Sequence, residues 1–183
     1  MSDYCTTLIV PGLHGSGAAH WQTWWKQNDR NACSIELDDW DAPDLDTWSN
    51  RIRDAVRCAQ RDVWIVAHSF GCLASLRVAQ EYPDRIGGLF LVAPADPDKF
   101  GVTALLPQTL AVPALFVSSR SDPWLEFDKA KRWATSLDSR FIDLGDAGHI
   151  NVESGFGPWQ HGFDLFLRFK SEISASRLCG ALI

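Results

Sequence analysis

Residues Ala67-His68-Ser69-Phe70-Gly71 join an apolar run at residues 62–66 to a helix-like run at residues 72–79. A serine between a strand and a helix is typical of a nucleophile elbow, in which a sharp turn lifts the serine oxygen clear of the sheet. The helix behind it offers unpaired N–H groups and positive potential to an oxyanion. Ser69 is therefore the predicted nucleophile, and Phe70 is predicted to provide one oxyanion N–H. Read alone, the pentapeptide also fits an ordinary turn or helix cap.

Short apolar runs alternate with amphipathic segments along the rest of the chain. We expect strands at residues 6–10, 34–37, 62–66, 88–93, 113–118 and 139–144. We expect helices at residues 20–27, 45–60, 72–79, 125–137 and in a final segment around 159–167. This alternation predicts an α/β protein, a three-layer α/β/α sandwich with a mostly parallel sheet of about six strands.

The length of 183 residues predicts one domain over residues 1–183. Residues 94–111 contain three prolines without clear periodicity. This segment is either a surface loop or a segment that folds over the site. From about Ser174 onward we expect a frayed tail.

Composition excludes several classes of protein. The net charge of −6 argues against a nucleic-acid binder, which needs a basic surface. No apolar stretch is long enough to span a membrane, and the N-terminus has no basic leader, so we expect a cytoplasmic protein. The five cysteines are Cys5, Cys33, Cys58, Cys72 and Cys179. Because they are scattered and odd in number, we expect reduced thiols, with neither a disulfide framework nor a zinc site.

A serine nucleophile needs a base and an acid that orients it. In chain order after Ser69, Asp122 follows the strand at 113–118 and His149 follows the strand at 139–144. Both positions suit the Ser, Asp, His order of α/β-hydrolases, in which each group lies at the end of a strand. Asp96 or Asp98, after the preceding strand, is the alternative acid.

The first strand ends in the glycine-rich loop at residues 11–17. A loop in this position provides the second oxyanion N–H in hydrolases, so Leu13 is the predicted donor and His14 the second choice. Neither G-x-G-x-x-G nor G-K-[ST] is present in the loop. We therefore expect no bound nucleotide or cofactor. No histidine pairs with carboxylates at the spacing of metal ligands, so we also expect no metal.

Other aromatic residues have two interpretations. Four tryptophans are candidates for either the pocket wall or the core, namely Trp21, Trp40, Trp124 and Trp159. His20 is expected on the first helix, and His68 is expected as a packed or pocket-edge side chain beside Ser69.

Three segments, residues 10–22, 67–71 and 145–159, carry a wider resemblance. The chain resembles the compact α/β-hydrolases that include the retinoblastoma-binding serine hydrolase and its bacterial relatives. The resemblance implies a reduced α/β-hydrolase core that has no large lid and lacks the parent fold's first two antiparallel strands. It also implies that His149 is the base and that Ile150 and Asn151 shape the turn after it. The L-x-C-x-E motif linked to the retinoblastoma-binding member is absent from this sequence, so that partner is not implied.

The sequence thus predicts a serine hydrolase that cleaves a small ester, or an amide, through an acyl-enzyme intermediate. Its partner is expected to be a small molecule, not a nucleic acid or a membrane, and no protein partner is implied. One alternative is a hydrolase-like interaction module with a vestigial triad. Another keeps the residues for acyl transfer, C–C hydrolysis or haloperoxidase chemistry.

Overall fold

The computed structural model describes residues 5–180, with side chains described as far as Arg177. The strands are β1 (Thr7–Val10), β2 (Ala32–Ser34), β3 (Val63–His68), β4 (Ile86–Val92), β5 (Ala114–Ser118) and β6 (Arg140–Asp143). The α-helices are α1 (Trp21–Asn28), α2 (Leu45–Cys58), α3 (Phe70–Glu81), α4 (Phe127–Ser136) and α5 (Gln160–Gly180). Short 3-10 turns lie at Pro83–Arg85, Thr103–Leu105 and Val152–Ser154.

The six strands form one sheet in the order β2-β1-β3-β4-β5-β6, and each of its five pairings is parallel. Alternate side chains of a strand point to opposite faces, so each face has its own core. Ile65 and Ala67 pack with α2, α3 and α4, whereas Trp64 and Val66 pack with α1 and α5. The predicted three-layer sandwich with a mostly parallel sheet is confirmed.

Helix α2 illustrates how local sequence determines an element. The Asp44 carboxylate accepts hydrogen bonds from the N–H groups of Asp46 and Thr47, which have no partner within the helix. Trp48, Ile52 and Val56 follow at four-residue intervals and are fully buried. The helix therefore lays one apolar stripe on the sheet beside α3.

Two predicted boundaries are wrong. The strand predicted at residues 34–37 overlaps β2 only at Ser34. The prediction rested on Ile35 and Leu37, which are buried in the segment that follows β2. The tail expected from Ser174 continues as helix α5 to Gly180, and the Ser174 hydroxyl donates to the carbonyl of Lys170 within it.

The prediction of reduced thiols is wrong for Cys5 and Cys33, which form a disulfide. Cys5 lies just before β1, and Cys33 lies opposite Leu8 in the neighbouring strand, so their Cα atoms are 5.8 Å apart. That separation suits a disulfide. Cys58 and Cys72 are free, and the side chain of Cys179 lies outside the described part of the chain.

Across residues 5–180, none of the helices has the length and apolar character needed to cross a membrane.

Gly71 lies where α3 passes close to the end of β1. A Cβ atom there would lie 2.7 Å from the carbonyl oxygen of Val10 and closer still to that of Pro11. Both obstacles are backbone atoms, so relief would require β1 to move away from α3.

We expect Gly71→Ala to lower the free energy of unfolding by roughly 3 kcal/mol, the upper range for overpacking. Urea unfolding followed by circular dichroism measures this change. Gly17→Ala is the matched control, because a Cβ at Gly17 would meet no atom within 4 Å. Equal stability of the two variants would contradict the crowding argument.

Candidate active site

Ser69 is the only residue between β3 and α3, and its backbone takes the unusual angles φ 51° and ψ −121°. Residues other than glycine rarely adopt positive φ, so this turn is strained. Three hydrogen bonds hold it. The Ser69 N–H donates to the carbonyl of Val92 at 3.1 Å, and the Ser69 carbonyl accepts from Cys72 at 3.0 Å and from Ala95 at 3.2 Å. The predicted elbow is therefore present at the end of β3.

The loop after β1 passes directly over Ser69. A Cβ atom on Gly12 would lie 2.7 Å from Ser69 Cβ, so this approach requires glycine. The N–H of His14, the second-choice oxyanion donor, is engaged by the carbonyl of Trp40 at 2.9 Å. Within the described residues, the N–H groups of Leu13 and Phe70 have no intramolecular acceptor. Both remain predicted oxyanion donors.

His149 follows β6 on a tight loop in which Gly148 and Ile150 have positive φ. Its N–H donates to Ser154 Oγ at 3.0 Å, which fixes the backbone beneath the ring. The ring is largely buried, and His149 Nε2 lies 2.9 Å from Ser69 Oγ. These two side chains, 80 residues apart in sequence, are thus in hydrogen-bond contact.

Asp122 follows β5 and completes the chain of hydrogen bonds. Its carboxylate oxygens lie 3.0 and 3.1 Å from His149 Nδ1, and only 3% of its side chain is exposed. A carboxylate can only accept, so Nδ1 carries the proton and Nε2 is left to accept from Ser69 Oγ–H. One carboxylate oxygen also accepts from the N–H of Trp124 at 2.9 Å, which holds the group in place.

The alternative acids lie elsewhere. The ammonium of Lys129 donates to both Asp96 and Asp98 at 2.6 Å. The hydrogen bond from Lys129, a second hydrogen bond from Thr103 and the positive charge of Lys129 lower the pKa of Asp98 below its ordinary value. Of the three candidate acids, Asp122 is the one in contact with His149.

Ser69 and His149 line a cavity of about 430 Å³. Leu13, Ala95 and Phe100 line it, so the segment at 94–111 does contribute to the site. Trp124 stands at its edge and is 48% exposed, whereas Trp21 and Trp159 are core residues. Trp40 packs edge-on against Trp48 and does not line this cavity. Among the four candidate tryptophans, Trp124 is the one that borders the site.

Besides His149 and the exposed His14, the cavity is lined by His20 and His68, in an arrangement that the sequence did not reveal. His20 precedes α1 instead of lying within it, and its Nδ1 accepts from the N–H of Gln22 at 3.2 Å. Its ring centroid lies 5.1 Å from that of His68. His68 in turn contacts the carbonyl oxygen of His149 through Nε2 at 2.9 Å. An uncommon histidine cap gives little local signal, because serine, threonine, aspartate and asparagine are the usual caps.

Burial makes both of these imidazoles poor bases. It is the main reason that the pKa of His20 falls to about 4, and nearby His149 lowers it further. Burial likewise holds the pKa of His68 well below its ordinary value, with smaller contributions from His149 and His20. Both rings are therefore neutral at pH 7.

The chain is similar to known hydrolases in both sequence and fold. The sequence profile of the family described as serine hydrolase matches residues 7–168. A YdeN-like hydrolase from Pectobacterium atrosepticum is 38% identical, with 92% of each chain covered and a TM-score of 0.89. The YdeN protein of Bacillus subtilis is 24% identical over 90% of this chain and 95% of its own length. The crystal structure of that ydeN gene product superposes with a TM-score of 0.77, covering 91% of this chain and 99% of the other. The narrower resemblance to the retinoblastoma-binding member remains a prediction.

We expect acid to destabilise the fold through His20. Its pKa is about 4 when folded and about 6.5 when unfolded, so the unfolded chain binds more protons between these values. The contribution of neutral His20 is complete above pH 6.5 and is lost as the pH falls toward 4. Between pH 7.5 and pH 5.0 this amounts to about 2 kcal/mol.

Urea unfolding at the two pH values tests this expectation. His20→Asn keeps an acceptor for the Gln22 N–H and should reduce the acid-induced loss of stability by about that amount. His161→Asn, at an exposed histidine on α5, should retain the wild-type loss. The same pH dependence in all three proteins would show that His20 is not responsible.

Proposed function

We propose that this chain, which belongs to the serine hydrolase family, cleaves a small carboxylic ester through an acyl-enzyme intermediate. The observation that carries the proposal is the continuous chain of hydrogen bonds from Ser69 through His149 to Asp122. The same side chains can attack an amide or transfer the acyl group to another acceptor.

In the first half-reaction, His149 Nε2 takes the proton of Ser69 as Oγ attacks the acyl carbon. Asp122 keeps the Nδ1 proton in place and stabilises the imidazolium that forms. The N–H groups of Phe70 and Leu13 receive the developing oxyanion. His149 then gives its proton to the leaving oxygen, and the ester bond breaks.

In the second half-reaction, His149 removes a proton from water, and the resulting hydroxide attacks the acyl group on Ser69. The same two N–H groups support the second tetrahedral intermediate. Collapse of that intermediate releases the carboxylic acid and returns the proton to Ser69 Oγ.

The form of the cavity supports a small substrate. Its volume of about 430 Å³ lies within the range typical of small-molecule sites. The aromatic side chains of Phe100 and Trp124 on its wall suit the apolar part of an ester.

We expect Ser69→Ala to abolish labelling by a fluorophosphonate probe, because the attacking oxygen is lost. Ester turnover should fall by about 10⁴-fold or more. Mass spectrometry of the labelled protein locates the adduct, and chromogenic ester hydrolysis measures turnover. Ser176→Ala, at an exposed serine on α5, is the matched control and should label normally. Failure of folded wild-type protein to label at Ser69 would falsify the proposal.

We expect Asp122→Asn to lower kcat/KM by about 10³–10⁴-fold, because a neutral amide can hold the wrong tautomer of His149. Asp96→Asn is the matched control, since that carboxylate is paired with Lys129, and its kcat/KM should stay within tenfold of wild type. Steady-state kinetics on one chromogenic ester gives both numbers. A larger loss for Asp96→Asn than for Asp122→Asn would assign the acid to the preceding loop.

A further inference from the structure

We infer that His20 and His68 form a second polar subsite beside Ser69, which binds an uncharged hydroxyl or carboxamide group of the substrate. The inference rests on the proposed ester hydrolysis, because it specifies what else that substrate carries. Its basis is a hydrogen-bond donor and an acceptor that the two rings present to the cavity.

The donor is His20 Nε2. A backbone N–H can only donate, so the bond from Gln22 requires His20 Nδ1 to be bare. A neutral ring must then carry its single proton on Nε2. Within the part of the chain whose side chains are described, that nitrogen has no hydrogen-bond partner, and it is not enclosed by protein. Since His20 lines the same cavity as Ser69, its Nε2–H faces the space where a substrate would lie.

The acceptor is His68 Nδ1. The carbonyl oxygen of His149 can only accept, so His68 Nε2 carries the proton that makes this 2.9 Å bond. The neutral ring therefore leaves Nδ1 with a free lone pair. Within the described part of the chain this nitrogen also lacks a partner without being enclosed, and His68 lines the cavity.

The pair favours a group that both donates and accepts. The two ring centroids lie 5.1 Å apart, so one small group can reach both rings. A hydroxyl or a carboxamide can accept from His20 Nε2–H while it donates to His68 Nδ1. A carboxylate has no proton for Nδ1, and an ammonium has no lone pair for Nε2–H. Neither ring provides a counter-charge, because burial keeps both pKa values low.

The structural roles of the two histidines leave His20 Nε2 and His68 Nδ1 unused. Capping of α1 needs only His20 Nδ1, and support of the His149 backbone needs only His68 Nε2. If the two histidines were purely structural, replacing either ring would therefore not change which ester the protein prefers.

Paired esters that differ by one hydroxyl test the subsite. In the acyl arm, p-nitrophenyl 3-hydroxybutyrate is compared with p-nitrophenyl butyrate, and in the alcohol arm, 2-hydroxypropyl butyrate is compared with propyl butyrate. For the arm in which the hydroxyl reaches the two rings, we expect wild-type kcat/KM to favour the hydroxylated ester by about tenfold. The preference should fall to within twofold in His20→Asn, which keeps the cap, and in His68→Gln, which keeps an N–H for the His149 carbonyl.

His161→Asn is the matched control and should keep the wild-type preference. A wild-type ratio near one in both arms overturns the subsite, as does a preference that survives in both His20→Asn and His68→Gln.

Binding of the four intact esters to Ser69→Ala separates this inference from the proposed hydrolysis. Tighter binding of a hydroxylated ester, lost on adding His20→Asn or His68→Gln, supports the subsite even if wild-type protein turns over none of the four. Equal Kd values within both pairs overturn it even if Ser69-dependent hydrolysis is observed.

Discussion

The strained backbone of Ser69 is the constraint on which the rest of the site depends. One residue with φ 51° makes the whole passage from β3 to α3, and only dense packing can hold it there. Gly71 lets α3 lie against β1, and Gly12 lets the next loop reach the Ser69 side chain. The same close contacts that build the core therefore aim the serine oxygen into the cavity.

The parallel sheet brings the other two groups within reach of that oxygen. Parallel strands release their loops at one edge, so Asp122 after β5 and His149 after β6 emerge on the same side as Ser69. Yet β6 lies three strands from β3, and the loop after it must turn back across the sheet. Positive φ at Gly148 and Ile150 allows this return, and Trp21 Nε1 anchors it by donating to the Ile150 carbonyl at 2.9 Å.

Much of this arrangement could be predicted from the sequence, because chain order and strand ends are local patterns. Ser69, Asp122 and His149 follow apolar runs that are long enough to identify as strands. The rest depends on spatial neighbours. The disulfide between Cys5 and Cys33 requires knowing that β2 pairs with β1, which a separation of 28 residues does not reveal.

The same limit explains the other differences. The apolar pattern at residues 34–37 resembles a strand because Ile35 and Leu37 remain buried after β2 has ended. Whether a tryptophan borders the cavity or fills the core depends on loop paths that span the whole chain. The contact between His68 and the backbone of His149 likewise has no sequence signal. Its consequence is mechanical. Esterification of Ser69 would remove the hydrogen bond between Oγ and Nε2, whereas His68 would still hold the His149 backbone and Asp122 would still hold the ring, so the imidazole would stay in place for the incoming water.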